Sequence, residues 1–163
     1  MSTVILKRRD EVEKIRTSAR IVAEALELAG TLVAPGVTTA EIDARIEELI
    51  LRRGAVPSFK GYRGFPAASC ISVNEVVVHG IPGERRLEDG DIVGIDVGVY
   101  LDQYHGDGAR TFPVGAVSAE ARQLLTVAQD SLLAGIAAIR PGGRLGAVSH
   151  AVQAHAEANG FSV

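Results

Sequence analysis

Residues 91–114, DIVGIDVGVYLDQYHGDGARTFPV, alternate in character so regularly that they constrain the whole chain. Val93, Ile95, Val97, Val99 and Leu101 point to one side of an extended strand, and Ile92, Gly94, Asp96, Gly98 and Tyr100 to the other. One face is core. With Asp102-Gln103 as a two-residue turn, a hairpin places Asp107 across from Gly98 and diagonal to Asp96 on the same face. A shift by one whole pair would put the two directly opposite, and only a slip of odd sum, which turns every side chain of the second strand over, would separate them. The glycines on either side of Asp96 leave space above the sheet for a ligand or another backbone. Facing carboxylates at roughly 5 to 8 Å repel unless one is protonated or a cation lies between them. Two solvated strand acids are the competing reading, and the Val and Ile run around Asp96 argues against it. The hairpin alone selects no particular metal.

At 163 residues with 47% apolar content, the chain has the length of one ordinary domain and material for a sizeable core. Its net charge is −3 with acids and bases interspersed, so neither a nucleic-acid partner nor a membrane surface is expected. A lone cysteine, Cys70, excludes an internal disulfide and suits a reducing compartment. The apolar stretch 21–33 is broken by Glu24 and Glu27, and no uninterrupted apolar run follows Lys7, Arg8 and Arg9. The expected location is the cytoplasm. No Gly-rich dinucleotide loop, Walker lysine or nucleophile elbow is present.

Asp10 with Glu13 has the form of a capping box, and Ile15, Ala19, Val22, Leu26, Ala29 and Val33 then recur at helical spacing. Pro35-Gly36 ends this helix. Thr38 with Glu41 starts a second, whose buried side is Ile42, Ile46 and Ile50, stopping at Gly54. A loop, FKGYRGFP, leads to ASCISVNEVVVHGIPG, which reads as short strands around Asn74 that end at His79 before a turn. After the aspartate hairpin a third helix is predicted from Ser118, with Leu125, Ala128, Leu132, Ile136 and Ile139 as its buried stripe. Pro141-Gly142 ends it, and a fourth helix runs to Gly160. Pro-Gly and the terminal Gly recur at one offset, so helix, Pro-Gly, capped helix and Gly occur twice. The expected organisation is a first αβ half, 1–116, followed by the helices of a second half, 117–163. Apolar helix faces without strands to cover them imply self-association or a missing second half.

GYRGFPAASCISVNEVVVHGIPG and GDIVGIDVGVYLDQYHGDGARTF together resemble the type I methionine aminopeptidases, from the first helix to the last residue. The resemblance implies an α/β (α+β) pita-bread fold, here with the second-half sheet missing. It also implies a dinuclear site of two divalent metal ions (Co, Mn, Fe, Zn or Ni). Such a pair, about 3.5 to 4 Å apart, activates water, polarises a scissile carbonyl and anchors the substrate amine. By motif, Asp96 and Asp107 match the two aspartate ligands, with Asp107 the bridging one, and His79 matches the active-site histidine. His105, next to Gly106-Asp107, would orient that ligand from behind. Phe59, Tyr62, Phe65 and Cys70 match a pocket for a methionine side chain, where apolar walls and a polarisable sulfur suit a thioether. Asn74 and Val76 match a monovalent-cation loop. The family's remaining ligands, one His and two Glu, find no match here. Arg63 stands where several relatives carry His. His150 and His155, five apart on a helix, are assigned no ligand role.

The implied activity is removal of the initiator methionine from nascent polypeptides with a small second residue, near the ribosome. With two of five ligands, this chain is expected to be inactive or weak alone. A noncatalytic peptide-binding module of the same fold is one alternative, against which His79, Asp96 and Asp107 speak. A proline-directed metallopeptidase is another, against which the GYRGFP to HGIPG stretch speaks.

Overall fold

The computed structural model describes residues 4–163, which fall into two compact units, one ending at Ala116 and the other comprising Val117–Val163. In chain order the first contains α1 (Arg9–Leu32), α2 (Thr39–Arg52), β1 (Val56–Pro57), β2 (Ser69–Val73), β3 (Ile92–Leu101) and β4 (Tyr104–Pro113). β3 is the central strand. β4 pairs along its whole length, while β1 and β2 share its other edge, β1 at Val99 and Tyr100 and β2 from Val93 to Val97.

The hairpin register is the predicted one, with Gly98 opposite Asp107 and Asp96 opposite Ala109. Its turn has φ of 48° at Asp102 and 72° at Gln103. Two left-handed residues match the right-handed twist of the strands, and neither of them is glycine. Gln103→Gly is therefore expected to stabilise the protein by about 0.5 to 1 kcal/mol, read as a higher urea midpoint.

The inner face of β3 supplies Val93, Ile95, Val97 and Val99, all fully buried, and α2 meets this core with Ile42, Ile46 and Ile50. The α2 cap is as the sequence indicates: Thr38 Oγ1 accepts from the Glu41 N–H at 3.1 Å, and Glu41 accepts from the Thr38 N–H at 2.7 Å. α1 differs from expectation at its start. Its first turn is closed by Glu11, which accepts from the Arg8 N–H at 2.7 Å, while Asp10 pairs with the Arg8 guanidinium. Its buried residues are Ser18, Ile21, Val22, Ala25 and Ala29, so the expected stripe is rotated: Ala19 is exposed, and Ile15 and Leu26 are only partly covered. The cause is β4. A Cβ on Gly106 would stand 2.5 Å from the Ala19 nitrogen and 2.6 Å from the Ser18 carbonyl carbon. The helix backbone thus lies directly on the strand, which only small residues permit, and Ser18 fastens the contact by donating to the Tyr104 carbonyl at 3.0 Å.

The segment after β2 is irregular rather than a strand. Asn74 and His79 adopt left-handed φ of 53° and 58°, and Val77 is 88% exposed, so the Val76–Val78 run has no sheet to join. The base of this excursion is closed by Asp91, which is buried and accepts from Asn74 Nδ2 at 2.7 Å and the Glu88 N–H at 3.0 Å, with Arg85 at 3.7 Å. Burial alone would raise the Asp91 pKa, but these donors outweigh it and hold the carboxyl below its ordinary value of 3.8. The unfolded chain therefore takes up the proton first as pH falls. The stabilisation is complete above the unfolded pKa and drains away as pH drops through the lower folded value. The urea-midpoint gap between the native protein and Asp91→Asn is expected to be widest at pH 6 and to narrow at pH 3.

The second unit contains α3 (Ala119–Ala137) and α4 (Leu145–Ala158). Displaced by 106 residues, the span of α2 becomes that of α4. Gly36 and Gly142 carry φ of 90° and 76°, and Gly54 and Gly160 carry 71° and 83°, so each helix stop recurs with the left-handed geometry of its counterpart. The expected α3 stripe is not the buried one. Val127, Ser131 and Gly135 face inward, while Leu132, Ile136 and Ile139 are more than half exposed. A Cβ on Gly135 would come within 2.7 Å of Val152 Cγ2, so close approach of α4 selects the small residues of α3 over its large ones. Among the described residues, no helix is long and apolar enough to cross a membrane.

Candidate metal centre

On the outer face of β3 and its neighbours, the pairings Cys70 with Asp96, Ser72 with Gly94, and Gly98 with Asp107 gather these residues on one surface. Of these, Cys70, Asp96 and Asp107 line a cleft of about 780 Å³. Asp96 and Asp107 lie in it with His79. Phe59, Tyr62, Phe65 and Cys70 form an apolar wall, and Arg63, Gly64, Pro66 and Ile81 complete the lining. The structure thus brings together every pocket, carboxylate and histidine position expected from the sequence apart from His105.

The two carboxylates differ. Asp107 is exposed, whereas Asp96 is partly covered and its Oδ1 is buried with no hydrogen-bond donor among the described residues. Burial, then the like charge of Asp107, push the Asp96 carboxyl above its ordinary value, and His79 pulls it back. A buried anionic oxygen that no protein donor satisfies, beside a second carboxylate, is a donor set that fits a hard divalent cation. It is a partial set: no cluster of three or more His, Cys, Asp or Glu able to hold a metal occurs among the described residues.

Cys70 stands directly across from Asp96 and is 5% exposed. Burial, with Asp96, Asp107 and Asp43 adding to it, pushes its thiol up to about 11. At neutral pH it is a soft apolar wall rather than a thiolate. Its strand is held by Asp43 of α2, which accepts from the Ser69 hydroxyl at 2.6 Å, the Ser69 N–H at 2.7 Å and the Ala68 N–H at 3.4 Å. Ser69 is fully buried, so Asp43→Ala leaves two donors unsatisfied and is expected to cost about 2 kcal/mol in urea unfolding, with Asp43→Asn milder because it keeps an acceptor.

Three features depart from the sequence reading. The space above Gly98 is filled by the loop before β2: a Cβ there would stand 2.5 Å from Phe59 Cε1 and 2.9 Å from Ser58 Cβ. Glycine here admits an aromatic wall against the sheet, not a ligand. His105 shares the face of Asp107, but its Nδ1 is bonded to Ser58 Oγ at 2.8 Å and its ring stacks on Tyr100 at 4.7 Å. The Asn74 side chain has both ends engaged, one by Asp91 and the other by the Ile92 N–H, so a monovalent cation in that loop would rely on main-chain oxygens. Ser58, Asp43 and Ser72 were not singled out by the sequence, because their roles depend on partners distant along the chain.

The helix-backed antiparallel sheet is that of the α/β pita-bread fold, as its likeness to solved structures shows. Residues 13–163 match the profile of metallopeptidase family M24, and the chain belongs to that family. It is 48% identical over 160 residues to a methionine aminopeptidase of Clostridium perfringens, an alignment covering 98% of this chain and 64% of that protein. Its structure is similar to that of a methionine aminopeptidase from Rickettsia prowazekii, with a TM-score of 0.96 at 37% identity, covering 99% of this chain and 65% of the other. A prolidase from Pyrococcus furiosus shares the fold, with a TM-score of 0.85 at 24% identity over 96% of this chain and 45% of its own. The chain therefore spans just under two thirds of the length of these two methionine aminopeptidases.

Proposed function

We propose that the protein takes part in removing the N-terminal methionine from polypeptides whose second residue is small. The observation that carries this is the joining, in one cleft, of the unsatisfied Asp96 oxygen and its neighbour Asp107 with the wall of Phe59, Tyr62, Phe65 and Cys70. The names of the relatives at 44 to 48% identity support the same reaction over the prolidase-like alternative. Asp96 and Asp107 would hold the divalent ions. Bound there, the ions supply Lewis-acid polarisation and water activated for attack at neutral pH. The aromatic wall excludes water around the first side chain and sets its depth. His79, at the lip of the cleft, donates a hydrogen bond to the peptide group being cleaved and steadies charge as it develops. The natural substrates in this reading are new chains near the ribosome, in the cytoplasm, where the buried free thiol of Cys70 is stable.

Two carboxylates leave most donor positions of a divalent ion to water or other groups, so the chain is expected to bind metal weakly. The test is methionine release from Met-Gly-Met and Met-Leu-Met, with Mn, Co or chelator present. It is run with and without a polypeptide matching the part of the relatives that this chain does not span. Chelator-sensitive release that favours glycine supports the proposal. Peptide binding without release in the complemented mixture supports a noncatalytic module, and cleavage confined to Xaa-Pro peptides supports a proline-directed enzyme.

A further inference from the structure

His79 is carried by an excursion that leaves β2 at Val73 and meets it again at Gly80. Its carrier is otherwise loose: Val76, Val77, Val78 and Ile81 are 40%, 88%, 61% and 63% exposed. Yet the residue after His79 is pinned at both backbone groups. The Gly80 carbonyl accepts from the Ile71 N–H at 2.8 Å, and the Gly80 N–H donates to Ser72 Oγ at 3.1 Å. The contact is so close that a Cβ on Gly80 would stand 2.2 Å from the Ile71 carbonyl oxygen, which no side chain allows. Ser72 itself is buried, at 8% exposure, on the same face of β2 as Cys70 and opposite Gly94. Its hydroxyl has no helix to cap and no turn to close. Among the described residues, the one group it holds is the amide immediately after a histidine whose own backbone is in the left-handed region, with φ of 58°. A residue in that region keeps its conformation only where its surroundings over-determine it.

We propose that Ser72 is a positioning residue: by fixing the Gly80 amide it sets where the His79 imidazole stands over the Asp96 and Asp107 carboxylates. The catalytic consequence rests on the proposed peptidase reaction; the positioning does not. Without the hydroxyl, Gly80 keeps only its bond to Ile71, and the peptide unit between His79 and Gly80 is free to rotate. The imidazole then samples several orientations while the sheet beneath is unchanged.

The test is histidine-detected NMR on the full chain, with the four imidazole signals assigned through His79→Gln, alongside amide exchange at Gly80. Ser72→Ala is expected to split or broaden the His79 signal and leave His105, His150 and His155 in place. Gly80 exchange should rise about tenfold, the value of one net hydrogen bond. Ser72→Thr, which keeps the hydroxyl, should restore both. An unchanged His79 signal and Gly80 amide in Ser72→Ala would overturn the proposal, as would disturbance of all four histidines that threonine does not repair. In the complemented mixture, Ser72→Ala should lower kcat about tenfold with KM unchanged. The NMR signature without any methionine release counts against the proposed function and leaves Ser72 in its role.

Discussion

Gly106→Ala is expected to lower stability by about 3 kcal/mol, because the added methyl group would run into helix backbone. The new Cβ would meet the Ala19 nitrogen, the Ser18 carbonyl carbon and the Ala19 Cα at 2.5, 2.6 and 2.8 Å. All three atoms are backbone of α1, so no side-chain rotation relieves the overlap and the helix must lift from β4. Lifting it also stretches the bond from Ser18 Oγ to the Tyr104 carbonyl. For a chain of this length, a loss of that size lowers Tm by roughly 6 to 12 °C. Gly108→Ala is the control. Its Cβ would meet the tip of Val22 at 3.2 Å, a side-chain atom that can move, so the loss should be under a third as large. Equal effects at the two positions would show that α1 does not bear on Gly106 as described. Because Asp107 follows Gly106, the same substitution should also disturb the cleft, seen as weaker metal-induced stabilisation.

The second large effect concerns Asp96. In chelator, Asp96→Asn is expected to melt at or above the temperature of the native protein. It removes an anionic oxygen that has no donor and the repulsion from Asp107, which together cost about 1 to 3 kcal/mol. With Mn or Co at a hundred times its dissociation constant, the native protein should gain about 2.7 kcal/mol by mass action. Asp96→Asn should gain nothing, so the order of the two melting curves reverses between chelator and metal. Asp107→Asn should lose the metal response as well. Its gain in chelator should be smaller, because Asp107 is already solvated and only the repulsion is relieved. A metal shift that survives in both variants would place the cation elsewhere.

What could be read from the sequence was local. The turn at Asp102-Gln103 fixes the pairing of its own strands, and two-residue alternation then assigns every side chain from Ile92 to Phe112 to a face. The Ile42, Ile46 and Ile50 ladder is equally explicit, because three large residues at one spacing admit one buried side. The errors lie where a distant segment chose between two acceptable arrangements. The buried stripe of α1 follows small residues because two β4 glycines, far along the chain, allow the helix to sit against the strand. α3 buries Val127, Ser131 and Gly135 for the same kind of reason, with Val152 the deciding neighbour. In the site, the carboxylate pair was legible because both members belong to one hairpin. The filling of the Gly98 hollow by Phe59, the engagement of His105 by Ser58 and the hold of Ser72 on Gly80 were not, since each joins segments that no periodicity relates.

The strand carrying Asp96 has neighbours on both edges, β4 along one and β1 with β2 along the other, whereas β4, which carries Asp107, pairs among the described residues with β3 alone. A strand braced on two flanks resists displacement, and one braced on a single flank yields more readily. Asp107, however, is seated on a strand whose opposite face rests on α1 at Gly106, so the acidic pair is braced from both edges at Asp96 and from beneath at Asp107.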